Sequence, residues 1–167
     1  MKTTELLRDQ MELSKAMTAS LLADMQDAPL TAPTSQGGNH PLWIAGHLVY
    51  SEARLTNELL FDKPGPLLEW SDMFSRGTQP SYEAGAYSVS IPEILAKWDE
   101  VRANTLSVLA GLSEEDLDKP TAKCPPGREA VFGTYGKAMT MVAMHPLHHR
   151  GQVADARRSL GRKPLAS

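Results

Sequence analysis

Only one cysteine, Cys124, occurs in the 167 residues. No disulfide can close within the chain, and a zinc knuckle built on several thiolates is excluded. Long apolar runs are missing as well, since none approaches the roughly 18 residues needed to span a bilayer. The opening stretch MKTTELLRDQMELSK carries charges throughout and has no apolar signal core, so a cytoplasmic location is expected. Positive charge is not in excess: 17 Lys and Arg stand against 20 Asp and Glu, a formal net charge of −3. That balance leaves no electrostatic footprint for nucleic acid or an anionic membrane, and neither is expected as a partner. A nucleotide-binding glycine loop and a nucleophile elbow are also absent.

What remains is a chain of one-domain size, residues 1–167, with 41% hydrophobic residues and helical periodicity. Residues 3–26 place Leu6, Leu13, Met17, Leu21 and Met25 at spacings of seven or four, which predicts an apolar stripe on a first helix. Residues 28–38 hold two prolines and two glycines and read as a loop. Pro41 suits the first turn of a second helix over residues 41–61, capped by Asn39 or His40. Ser90 and Glu93 form a capping box, with Pro92 in the first turn, for a third helix that ends near Gly111. The last helix is predicted over residues 134–160, with Arg157, Arg158, Arg162 and Lys163 at its negative end. Four long helices predict an all-α, four-helix bundle. The long segment between the second and third helices reads as a crossover connection.

All five histidines fall in two short segments, at positions 40 and 47 and at 145, 148 and 149. On a helix His145 and His149 differ by about 40° and one turn, so their imidazoles share a face about 6 Å apart at Cβ. That is a helical way of giving one ion two nitrogen ligands. His148 is rotated to the side. His47 lies on the apolar face of the second helix, where an unpaired polar group is costly. Metal sites in bundles draw ligands from facing helices, and three neutral imidazoles leave positions open for water or substrate. The spacing by itself is equally compatible with hydrogen-bonded core histidines.

The segments HPLWIAGHLVYSEARL and AMHPLHHRGQVADARRSLGRKPL, with the capped stretch SIPEILAKWDEVRANTLSVLAGLSEEDLDKP, resemble the DinB/YfiT-like metalloenzymes. The resemblance covers most of the chain and implies a divalent ion held by His47, His145 and His149. Zinc or nickel is expected first, with iron, manganese and copper open. It also implies a thiol-dependent S-transferase of the bacillithiol or mycothiol type, and makes a homodimer plausible. Hydrolysis at a metal-activated water, a non-catalytic metal-binding stress-response bundle and a purely structural bundle are the alternatives. The expected partner is a small molecule, with a low-molecular-weight thiol among the candidates.

Several residues carry lesser expectations. Pro146, directly after one of the paired histidines, either kinks the last helix so that His145 faces the ion or restarts it with His145 as a cap. His40 is expected at a helix cap or the surface, and His148 beside the site rather than in it. Arg150 is expected to pair with Glu52 or Glu58. Trp43 and Trp98 should pack in the core, while Trp70 and Phe74 suit a lid. Glu52 is rotated about 140° from His47, and no general base is evident. Cys124, without a flanking histidine, is not expected to be a nucleophile.

Overall fold

Capping side chains set where the long helices begin. In a computed structural model that describes residues 1–32 and 38–165, the His40 ring accepts from the backbone N–H of Trp43 and opens α2 (Pro41–Arg54). Ser90 and Glu93 form the capping box of α4 (Ile91–Ala110). The Thr134 hydroxyl accepts from Lys137 N–H at the start of α6 (Tyr135–Ser159). With α1 (Thr3–Ala23) these make four long helices, joined by the one-turn helices α3 (Ser71–Phe74) and α5 (Glu129–Phe132). Beyond Arg54, α2 continues through a π-helical stretch, Leu55–Leu59, so the predicted length of the second helix holds although its winding changes. The loop predicted over residues 28–38 lies partly outside the described residues.

Cross-helix pairs give the topology. Glu52 meets Trp98 and Arg102, and Thr56 meets Thr105, so α2 and α4 run parallel. Arg102 donates to the Met11 carbonyl and Lys15 pairs with Asp99, so α1 and α4 run antiparallel. Thr18 donates to the Pro146 carbonyl and Asp24 pairs with Arg157, so α1 and α6 run parallel. Helices α1 and α2 each pack on α4 and α6 and barely touch one another, so they lie across the diagonal of the bundle. A connection between parallel neighbours must return along the bundle, which makes the segment between α2 and α4 a true crossover. It contains a 3-10 turn, Leu68–Trp70, followed by α3.

The core comes in two apolar clusters. One gathers Trp43, Ile44, Leu48, Phe74, Ile94 and Trp98; the other gathers Leu7, Met11, Leu59, Leu109 and Met139. Polar side chains bridge the helices through the middle of the bundle. Arg102 grips the Glu52 carboxylate with Nε and Nη2, both at 2.7 Å, and Trp98 Nε1 donates to the same carboxylate at 2.8 Å.

The expected stripe on α1 is corrected. Leu6 and Leu13 are 44% and 62% exposed, and the buried face runs through Leu7, Met11, Ser14, Thr18, Leu21 and Leu22. Two hydroxyl residues occupy that face because each finds a carbonyl. Ser14 donates to Met11, and Thr18 to Pro146. Hydrogen bonding removes most of the penalty that a hydropathy pattern assigns to such residues. No helix among the described residues is long and apolar enough to cross a membrane.

Candidate metal centre

His47 stands on the second turn of α2, held on two sides. Its ring stacks on Trp43 one turn back, with centroids 4.7 Å apart and planes within 7°. Its Nδ1 lies 2.8 Å from the backbone carbonyl of Phe74. A carbonyl only accepts, so Nδ1 carries the proton and Nε2 keeps a free lone pair. Gly46 makes this approach possible, because a Cβ there would lie 2.4–2.5 Å from the Phe74 ring. Helix α3 thus reaches α2 through a ring packed against a bare backbone and a carbonyl bonded to the next residue.

His145 and His149 face His47 from α6. Ring centroids are 5.1 Å apart for His47 and His145, 5.3 Å for His47 and His149, and 4.8 Å for the α6 pair. Helix α6 runs unbroken through Pro146, so the alternative of His145 as a helix cap is overturned. The two Nε2 atoms of the α6 pair are 3.1 Å apart. His149 Nδ1 lies 3.0 Å from Gln152 Oε1, an acceptor, which fixes the proton on Nδ1 and turns the Nε2 lone pair toward His145.

Burial keeps the cluster neutral. His145 is pushed down to about 3 by burial, with the neighbouring imidazoles of His149, His47 and His148 adding to the effect. His149 is pushed down to about 4, again chiefly by burial, against the opposing hydrogen bond to Gln152. His47 is lowered by burial, opposed by its bond to Phe74, with the positive field of Arg76 adding to the lowering. At neutral pH all three rings therefore keep the lone pairs that a metal ligand needs.

The three histidines offer ligand nitrogens that all lie within 4.8 Å of one another. Nitrogens bound to one ion at about 2.0–2.1 Å stand about 3.4 Å apart in tetrahedral geometry. The α6 pair already meets that spacing, and His47 needs only a small closing movement. Outer nitrogens tied to a carbonyl and an amide oxygen match the supporting bonds that orient histidine ligands. The donor set fits a divalent ion.

The other sequence-singled residues take different places. His40 is fully buried as the α2 cap, with Nε2 donating to the Ser81 carbonyl at 2.9 Å. His148 is exposed and meets His149 edge-on, centroids 5.0 Å apart. The expected pairing of Arg150 is corrected. Glu52 belongs to Arg102 and Glu58 to Arg54, while Arg150 donates to the Met17 carbonyl at 3.4 Å. Trp43 and Trp98 are core residues as expected. Trp70 and Phe74 are not a lid: both are buried, and Phe74 stacks on Tyr87 inside the core. The thiol of Cys124 donates to the neighbouring Pro125 carbonyl at 3.6 Å.

Sequence reasoning assigned no role to Gly46, Phe74 as a hydrogen-bond acceptor, Arg76 or Gln152. The spacing from His149 to Gln152, three residues on a helix, could have exposed that pair. A backbone carbonyl leaves no residue-type signal at all.

A family model described as the DinB superfamily matches residues 10–153. The structure is similar to the crystal structure of a conserved protein from Enterococcus faecalis, with a TM-score of 0.63 at 17% identity, covering 97% of this chain and 99% of the other. That likeness concerns the fold alone. No curated protein matches the chain.

Proposed function

The chain belongs to the DinB superfamily, and on that premise we propose that it is a metal-dependent enzyme that transfers a small-molecule thiol to an electrophile. The observation that carries this reading is the convergence of three neutral imidazoles from two facing helices, with the outer nitrogens of His47 and His149 tied to Phe74 and Gln152. His47, His145 and His149 would hold a divalent ion, which when bound would supply Lewis acidity that lowers the pKa of a thiol or water.

The chain's own groups favour thiol over water. Among the described residues, no carboxylate joins the triad as a further ligand, and none figures among the groups that shift the three rings. Glu52 is engaged by Arg102 and Trp98 on another side of α2. Hydrolysis gains from a positioned base that deprotonates water, whereas a thiol, far more acidic, releases its proton to solvent unaided. The buried rings of His47 and His149 orient the site, and Trp43 against His47 walls it with an apolar plane. In the transfer step a sulfur–carbon bond forms as the leaving group departs with its electron pair.

Zinc or nickel suits the imidazole donors, and iron, manganese and copper share that chemistry to differing degrees. The reading takes residues 1–167 as one cytoplasmic catalytic domain acting on small molecules, in keeping with the formal charge of −3. Metal content is measured by plasma mass spectrometry on untagged protein, beside His47→Ala and His149→Ala. About one equivalent in the parent, lost in both variants, is the expected result and opens a screen of thiols and electrophiles. Metal-free parent protein that also refuses zinc and nickel would overturn the enzyme reading.

A further inference from the structure

His40 is no ligand of the triad, since seven residues of helix place it about 10 Å along the axis from His47. Both of its ring nitrogens are nevertheless held in bonds. Nδ1 accepts from the backbone N–H of Trp43 at 3.1 Å, and Nε2 donates to the Ser81 carbonyl at 2.9 Å. One neutral tautomer makes both bonds, and burial, which lowers the pKa of this ring, keeps it neutral. The usual caps, Ser, Thr, Asp and Asn, satisfy a helix N-terminus with one short arm. A capping imidazole adds a second nitrogen on the far side of its ring. Here that nitrogen ties the crossover to the start of α2.

Two chains of contact lead from His40 to His47. Along α2, His40 fixes the backbone of Trp43, whose ring stacks on His47 with centroids 4.7 Å apart. Along the crossover, the His40 ring meets Tyr82 and Tyr87 edge-on, each at 5.3 Å. The Tyr87 hydroxyl accepts the Ser81 N–H at 3.0 Å, so Ser81 is bound through both its backbone groups. The Tyr87 ring then stacks on Phe74, with centroids 5.6 Å apart and planes within 12°. The Phe74 carbonyl accepts the His47 Nδ1 proton at 2.8 Å. His40 and Phe74, the two ends of this second chain, are both wholly buried. One chain fixes a face of the His47 ring and the other its Nδ1 corner. What remains free is Nε2, the ligand nitrogen.

We infer that His40 is a positioning residue for the metal centre, orienting His47 through Trp43 on one side and through Ser81, Tyr87 and Phe74 on the other. This rests on the metal-centre reading above and extends it to a residue outside the ligand set. His47 is held in its ligand orientation before any ion arrives, so binding carries little cost of ordering that ring.

The test uses the full chain with cobalt as probe metal, whose visible absorption reports ligand geometry. An asparagine amide stands in for Nδ1 and a glutamine amide for Nε2. His40→Asn therefore keeps the cap, and His40→Gln keeps the bond to Ser81. Each is expected to bind cobalt about tenfold more weakly than the parent and to shift its visible band. Leu109→Ala, which opens a cavity in the other apolar cluster, is the control for stability alone. It should melt lower and keep the parental affinity and band. Imidazole nitrogen NMR of the metal-free chain gives a second readout: the His47 proton sits on Nδ1 in the parent and is shared between both nitrogens in the variants. If a His40 variant does not fold, Tyr87→Phe, which removes only the acceptor of the Ser81 N–H, decides, and an unmoved band there overturns the inference. Parental affinity, band and His47 tautomer in the folded His40 variants would also overturn it, leaving the metal centre intact. A parent that takes up no cobalt would overturn the metal reading, and the inference with it.

Discussion

His47 donates from Nδ1 to the Phe74 carbonyl at 2.8 Å, so a candidate ligand on α2 is oriented by the crossover rather than by its own helix. Gly46 is what admits this contact, since an added methyl would meet the Phe74 ring at 2.4–2.5 Å. The ring is wholly buried and has little room to yield. Gly46→Ala is expected to cost about 1–3 kcal/mol through overpacking, and to weaken metal binding about 10–100-fold by displacing the carbonyl. Urea unfolding and chelator competition measure the two effects separately. Unchanged metal affinity in a destabilised variant would detach Phe74 from the site.

Gln152 performs the matching task for His149 on α6. Gln152→Ala is expected to keep the fold and lose about tenfold in metal affinity. Gln152→Glu should bind at least as tightly as the parent, because a carboxylate is the stronger acceptor for Nδ1–H. A zinc titration against a competing indicator reads both variants. Equal affinities for all three proteins would show the contact to be incidental.

The buried pair of Glu52 and Arg102 makes a different prediction. Both side chains are 4% exposed, so removing one leaves the other as an unpaired buried charge. Arg102→Ala is expected to cost about 3–5 kcal/mol, and the double variant Glu52→Gln/Arg102→Met to cost clearly less. Metal content should stay at the parental level in whatever fraction folds, since neither residue touches the histidines. Loss of metal from folded Arg102→Ala or from the folded double variant would require a link that these contacts do not contain.

Acid sensitivity of the metal-free protein follows from the imidazoles. An unfolded histidine takes a proton near pH 6.5, whereas folded His145 and His149 do so only near 3 and 4. Between those limits the unfolded chain binds more protons. The stability from this difference is complete above about pH 6.5 and drains away as pH falls toward 4 and below. The lowered values of His40 and His47 act in the same direction. Chelator-treated protein should melt progressively lower from pH 6.5 to 4, and His149→Gln should show a shallower decline. A melting temperature flat across that range would contradict the neutral, buried state of the triad.

The candidate site was only half legible in the residues. His145 and His149 show themselves by a spacing of four on one helix, because helical geometry is local and converts sequence distance into direction. The link from His47 to that pair was suggested by its apolar face and by family resemblance; it became geometry only when α2 met α6. Arg150 illustrates the opposite case. Its pairing with Glu52 was reasonable by charge and wrong in fact, because the parallel run of α2 and α4 puts Arg102 within reach first.

What the sequence determined alone is the set of local decisions: four long helices, the capping box of Ser90 and Glu93, and a paired-histidine face on α6. Each depends on interactions within a few residues, so composition and periodicity are enough. Only the tertiary structure decided that Ser14 and Thr18 rather than Leu6 and Leu13 face the core of α1. Only it decided that Phe74 supports His47 instead of covering it. Those outcomes depend on which carbonyls and charges distant segments bring together, and packing sets that after the helices exist.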